Sequence, residues 1–220
     1  MNQLSDRERT KRKEKELQFR HSEILQEAEK IFAAKGFYNT TIAEIAQASG
    51  FAVGTLYQFF QSKEKLYMAM VVEKMALMYA GMTAAAEQEN TIEKLRAIIR
   101  AHFQFVENNL DFCNLFFGWD TASLSDGHTY LRNRMFEEYV NHAQYIEVIL
   151  VEGMDKNILR KLNPRIMSFA LSWMIRGVIF NWMTTTRDEP LTEKVSLVLD
   201  IILHGVFDRE GVNERNGLSA

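Results

Sequence analysis

The sequence predicts an all-α fold of long helices, and three observations carry the prediction. Breakers are sparse: 2 prolines and 11 scattered glycines serve 220 residues, too few for a many-turned β architecture. Apolar residues recur at three- and four-residue intervals through successive segments, the spacing of one helix face. No Asn-Gly or Asp-Gly pair stands between alternating strands; Asp126-Gly127 lies between helical patterns and Asn216-Gly217 in the tail.

Helical spacing covers about 16–35, with Ile24, Ala28, Ile31 and Phe32 on one face. Gly36 ends it where a left-handed residue is favoured, and Phe37 can pack back on the last turn. Thr41, with Glu44 three residues on, makes a capping box for a short helix over about 42–48, which stops at Ser49-Gly50. A third short helix covers about 52–59. Ser62 caps a fourth, rich in Met and Tyr, from 63 to about 86. The fifth, 91–108, carries Ile92, Leu95, Ile98, Ile99, Phe103 and Val106 at helical spacing. A short helix at about 111–117 and a Thr-, Ser- and Asp-rich loop over 118–127 follow. A long helix over 129–152 ends at Gly153. Asn163-Pro164 is a cap and first-turn pair for the next, which runs to about 186. Asp188-Glu189-Pro190 then breaks the chain before a last helix over about 191–208. The polar residues after Glu210 read as a disordered tail.

Net charge is −3, but residues 1–70 carry 11 Lys/Arg against 9 Asp/Glu while the rest carries 15 against 20. Residues 7–15 alone hold 6 basic and 2 acidic side chains. The front of the molecule can approach phosphate while the back repels it. A protein that coats nucleic acid nonspecifically would be strongly basic overall, and this chain is acidic. The N-terminus lacks the apolar core of a signal peptide. The most apolar run, 169–183, is interrupted by Arg176 and Asn181, so no membrane span is expected. Cys113, the one cysteine, fits a reducing, cytoplasmic setting. His21, His102, His128, His142 and His204 show no metal-ligand spacing, and neither a Gly-rich phosphate loop nor a nucleophile elbow appears. No metal, cofactor or catalytic centre is therefore expected; an enzyme would have to show itself by turnover of a bound apolar compound.

The two short helices carry the sharpest signal. A pair of helices joined by a tight Gly-containing turn is the helix-turn-helix that reads DNA. Ala46 is small where the helices cross, Gly50 sits where a positive φ is cheapest, and Ile45, Phe51, Leu56 and Phe59 supply the apolar contacts. The same spacing also suits an ordinary corner between two core helices.

The run Gly36-Phe37-Tyr38-Asn39-Thr40-Thr41-Ile42-Ala43-Glu44-Ile45-Ala46 resembles the opening of the DNA-binding domain of the TetR family of bacterial transcriptional repressors. Residues 50–60 resemble its turn and recognition helix, and Ser62-Lys63-Glu64-Lys65-Leu66 the start of its fourth helix. About 50 residues carry this resemblance; the rest is similar only in helix count and size. The resemblance implies a chain divided into a basic arm (1–15), a DNA-binding domain (16–62), a ligand-binding and dimerisation domain (63–210) and a tail (211–220). It implies that Thr41, with Thr40 beside it, and the helix amides behind it meet phosphate. Val53, Gly54 and Thr55 would face base edges in the major groove, Tyr57 and Lys63 would reach phosphates, and Gln58 either one. Val53 and Gly54 offer no side-chain hydrogen bond, which favours readout by methyl contact and DNA shape. Core packing is the other expectation for Tyr57. The arm is expected either to be a flexible extension that adds DNA contacts or a solvated extension of the first helix.

The last two long helices are apolar on more than one face and need a partner as well as their own core. The resemblance implies a homodimer through them, with Ile166, Phe169, Trp173, Val195, Val198, Ile202 and Val206 as interface candidates, so that two readers bind a palindromic operator. Large soft and aromatic side chains crowd the middle helices. Met75, Met78, Met82, Phe103, Phe112, Phe116, Trp119, Phe136, Tyr139 and Trp173 are either plain core or the lining of a site for a small apolar ligand. Arg176 would meet a ligand anion or, as buried charges usually do, a carboxylate. The function implied is a regulator, a repressor released by ligand, with an activator or ligand-independent protein as the alternative.

Overall fold

The computed structural model describes residues 2–85, 87, 90–122 and 129–205. Every regular element among them is helical: α1 (Asn2–Lys35), α2 (Ile42–Ser49), α3 (Val53–Phe59), α4 (Lys63–Ala85), α5 (Thr91–Asn108), α6 (Leu110–Ala122), α7 (Thr129–Asp155), α8 (Pro164–Thr184), a 3-10 turn (Leu191–Lys194) and α9 (Val195–His204). The all-α expectation holds. Four boundaries differ from it. α1 begins near the N-terminus, because nothing between residues 2 and 35 breaks a helix and pairs such as Glu16–Arg20 support it one turn apart. α6 runs through Gly118 to Ala122, where a loop was expected. α7 passes through Gly153 and ends at Asp155, and α9 stops at His204 with the Gly205 amide on the Ile201 carbonyl. The tail 211–220 lies outside the described residues.

Packing divides the chain into two compact units, Met1–Leu77 with Asn109–Glu138, and Met78–Asn108 with Tyr139–Ala220. This division falls within α4 and α7.

In the first unit, Ile24, Leu25, Ala28 and Phe32 of α1 are buried with Ile45, Leu56, Leu66 and Met70. Phe32, Phe37 and Tyr67 form a ring triangle with centroids 5.3–5.7 Å apart. α6 packs on α1, bringing Phe112 and Cys113 into this core. Lys74 joins both sides of it, pairing with Glu29 at 3.0 Å and donating to Asn109 at 2.9 Å.

In the second unit, Leu191, Val195, Val198 and Leu199 are buried, and both the 3-10 turn and α9 pack on α5. The Glu107 carboxylate accepts the Thr192 amide at 3.1 Å. Lys94 of α5 holds Glu152 of α7 at 2.7 Å. Gly153 is where these helices meet Leu159: a Cβ there would stand 2.7 Å from Leu159 Cδ1 and from Thr91 Cγ2. The glycine is required by close approach, and the left-handed turn after α7 falls instead on Asn157, φ 55°.

Candidate nucleic-acid interface

Local chemistry sets the reader. The Thr41 hydroxyl accepts the Glu44 amide while the Glu44 carboxylate accepts the Thr41 amide, a complete capping box. Lys35 adds an ion pair to Glu44 at 2.5 Å. The Lys35 hydrogen bond, followed by those from Thr41, holds the Glu44 carboxyl down at about 2. Gly50 closes α2 at φ 72°, the left-handed conformation, and the Phe51 amide returns to the Ala46 carbonyl at 3.0 Å.

α3 then points one face inward and one outward. Leu56 is fully buried. Val53, Gly54, Tyr57 and Gln58 are exposed, one turn apart on the opposite face, and Thr55 is half-buried beside them. Tyr57 is 52% exposed, so core packing does not explain it. A Cβ at Gly54 would meet nothing within 4 Å. Thr41 is exposed at the N-terminus of α2.

Two residues expected at this surface are placed otherwise. Thr40 is 1% exposed and donates its hydroxyl to the Gly36 carbonyl at 2.8 Å, which closes the turn between α1 and α2. Lys63 is turned onto that same turn, donating to the carbonyls of Phe37 at 2.7 Å, Tyr38 at 3.4 Å and Thr40 at 2.8 Å. An ammonium has three N–H bonds, and these carbonyls take them all.

Residues 24–70 match the family model of bacterial regulatory proteins of the tetR family, and they contain the whole reader just described. The reader is that of the TetR family. The chain is a DNA-binding transcription regulator. Over 194 residues this chain is 22% identical to the fatty acid metabolism regulator protein of Bacillus subtilis (strain 168), covering 86% of this chain and 97% of that one. Its fold is similar to the fatty acid degradation regulator FadR of Bacillus halodurans, with a TM-score of 0.77, 23% identity and coverage of 86% and 97%. FadR of Bacillus subtilis in complex with stearoyl-CoA gives a TM-score of 0.72 at 22% identity, covering 84% and 99%.

Outside the reader, the candidates for a ligand lining fall in both units. Met75 and Phe112 are buried in the first unit, where Phe112 stacks on Phe116 at 5.6 Å. Met78, Met82 and Phe103 are buried in the second unit, and Tyr139 and Arg176 are half-buried there. Phe136 and Trp173 are 62% and 55% exposed and so face outward. The Trp119 side chain lies outside the described residues. The Arg176 guanidinium lies 5.3 Å from the Trp173 ring centre.

The interface candidates divide similarly. Ile166 and Trp173 are exposed, with Phe180 in line seven residues further on. Phe169 and Ile202 are half-buried. Val195 and Val198 are 1% and 0% exposed, because they face α5 of their own unit; Leu197 is the outward residue of that turn. Val206 lies outside the described residues. An open cleft of about 700 Å³ beside this face is lined by residues such as Val178, Trp182 and Leu197, a feature that helical periodicity could not reveal.

Sequence spacing also missed an interior polar group. His102 of α5 and His142 of α7 meet edge-to-face, centroids 5.1 Å apart. Burial lowers their imidazole pKa values to about 3 and about 4, and for His102 the neighbouring His142 adds to the effect. Burial likewise pushes the Tyr139 phenol up to about 12.

Proposed function

We propose that this regulator is a cytoplasmic homodimeric repressor that holds a palindromic operator and releases it on binding a long-chain acyl-CoA, with no catalytic step. The observation that carries the DNA part is the outward face of α3, where Val53, Gly54, Tyr57 and Gln58 stand exposed beside the half-buried Thr55. These five residues face the major groove, and Thr41 meets phosphate at the α2 N-terminus.

Dimerisation is supported by the exposed stripe Ile166, Trp173 and Phe180 on α8, joined by Leu197 of α9. Residues seven apart lie nearly in line on a helix, and a self-complementary apolar stripe is what a two-fold interface uses. The same helix is 21 residues long and contains an 18-residue stretch of mean hydropathy 1.3, enough by length and composition to cross a membrane. Arg176 in its middle, set against Trp173, favours a protein partner for this face.

The acyl-CoA part is carried by the full-length similarity to regulators of fatty acid metabolism, one of them in complex with stearoyl-CoA. The second unit has the material to take such a ligand, since Met78, Met82 and Phe103 line its interior with soft apolar side chains. Linkage then requires that a ligand preferring a conformer with the wrong reader spacing weaken DNA binding equally.

The test is a genome-fragment selection for the operator, followed by a stearoyl-CoA titration of the complex. Release of the operator at the concentration that saturates the protein is expected. Retention of DNA by protein shown to carry stearoyl-CoA would overturn the release mechanism.

A further inference from the structure

Buried polar groups in a folded protein almost always meet a partner, because a bare one forfeits its hydration for nothing. The second unit breaks this rule along α5 and α7. His102 Nδ1, His142 Nδ1 and Nε2, and the Tyr139 hydroxyl are all buried with no hydrogen-bond partner among the described residues. The Thr91 hydroxyl shares the property, but it begins α5, three turns before His102.

Three helices bring the group together. His102 comes from α5 and His142 from α7, and Tyr79 of α4 stacks on the His142 ring at 6.1 Å. Tyr139 lies one turn before His142 on α7 and leans on Phe169 and Trp173 at 5.7 and 5.4 Å. His142 itself is only 4% exposed, and Met82 and Phe103 nearby in the unit are fully buried. Apolar packing would fill such a place more cheaply with Leu or Phe. The polar atoms are therefore kept at a cost in folding.

Their chemistry narrows what they meet. Both imidazoles stay neutral at physiological pH because burial disfavours the charged form. Each neutral ring offers one N–H, and the phenol one O–H. These are neutral donors among mostly apolar side chains, with the Arg176 guanidinium within electrostatic reach of the Tyr139 phenol. They match a neutral carbonyl carried by an otherwise apolar chain, whereas a full charge between two neutral rings would be buried without a counter-ion.

We propose that His102, His142 and Tyr139 form a subsite that donates hydrogen bonds to the thioester carbonyl of a bound acyl-CoA. This rests on the acyl-CoA reading above and adds the atoms that recognise the linkage.

The experiment uses the full chain, stearoyl-CoA, and octadecyl-CoA, the thioether that lacks only the carbonyl oxygen. Wild-type protein is expected to bind the thioester at least tenfold more tightly than the thioether. The double variant His102→Leu with His142→Phe is expected to bind both alike, and to melt at the same or a higher temperature without ligand. Tyr139→Phe, which removes one oxygen, is expected to cut the preference several-fold. Preference retained in both variants overturns the subsite, as does a wild type that binds both compounds equally. A fall in the ligand-free melting temperature of the double variant marks the pair as structural and also overturns it. Wild-type protein that binds neither compound overturns the acyl-CoA reading itself, a result distinct from equal binding.

Discussion

The Lys63 ammonium lies 4.4 Å from the centre of the Phe37 ring and donates to the Phe37 carbonyl at 2.7 Å. One side chain thus ties the first turn of α4 to the link between α1 and α2, and it does so through both charge and ring face.

This makes Lys63 a structural residue of the reader. Lys63→Met keeps the stem and removes the ammonium, taking that donor from the Thr40 carbonyl and leaving the Phe37 carbonyl only the longer bond from the Thr40 amide. A loss of about 1–3 kcal/mol is expected, measured by denaturant unfolding at pH 7. Lys63→Arg is expected to restore part of it. If Lys63 served DNA phosphate instead, Lys63→Met would leave the unfolding midpoint unchanged and lower only operator affinity.

The outward face of α3 predicts the opposite pattern. Gly54 has open space around it, so Gly54→Ala is expected to stabilise the free protein by up to about 1 kcal/mol through helix propensity. The added methyl would meanwhile hold the backbone away from the base edges and weaken operator binding at least tenfold. Tyr57→Phe is expected to lower operator affinity several-fold with unfolding unchanged within about 0.5 kcal/mol. Paired melting and gel-shift measurements check both.

Burial of His102 and His142 predicts a stability loss in mild acid. Their folded pKa values, about 3 and about 4, lie below the usual 6.5. The unfolded chain therefore takes up protons first as pH falls through 6.5, which favours unfolding. By pH 5 each histidine is expected to cost about 2 kcal/mol relative to pH 7. His102→Leu with His142→Phe removes both sites, so the variant is expected to lose far less stability over this range. Parallel unfolding curves for the two proteins from pH 7 to pH 5 would show the burial to be wrong.

Gly153 predicts a steric penalty. Its absent Cβ would come 2.7 Å from Leu159 Cδ1 and from Thr91 Cγ2, and 2.9 Å from Leu159 Cγ. Gly153→Ala therefore costs about 1–3 kcal/mol as an overpacked site, despite the better helix propensity of Ala. Gly153→Ala with Leu159→Ala is expected to recover part of the loss in thermal melts.

What could be read in advance was local. The Thr41–Glu44 box, the Gly50 turn and the Asn163-Pro164 start of α8 act between residues two to five apart, and each has a composition that names it. The inward and outward sides of α3 followed from periodicity. Features that depend on distant partners did not show. His102 and His142 are forty residues apart on different helices, and no spacing rule links them. Thr40 and Lys63 carry polar groups that suit DNA, and only the path of the chain turns them onto the carbonyls of Gly36 and Phe37. Gly153 was read as a helix stop because a glycine needed for close approach looks the same in sequence as one needed for positive φ. Val195 and Val198 show the limit of all-round hydrophobicity, which says that a helix is covered without saying which side its own unit covers.

α1 is a single helix of 34 residues, roughly 51 Å long at 1.5 Å per residue. A flexible arm could lay Arg7, Arg9, Lys11, Arg12, Lys13 and Lys15 along one phosphate strand together. A helix spreads them around its axis, with Arg7, Lys11 and Lys15 along one line and the others turned elsewhere. Only about half can displace counterions from DNA at once. Deleting residues 2–15 is then expected to flatten the slope of log affinity against log salt by about 3 rather than by the 5 or more that six contacts would give. The arm's shape, more than its charge, sets how much the regulator gains from low ionic strength.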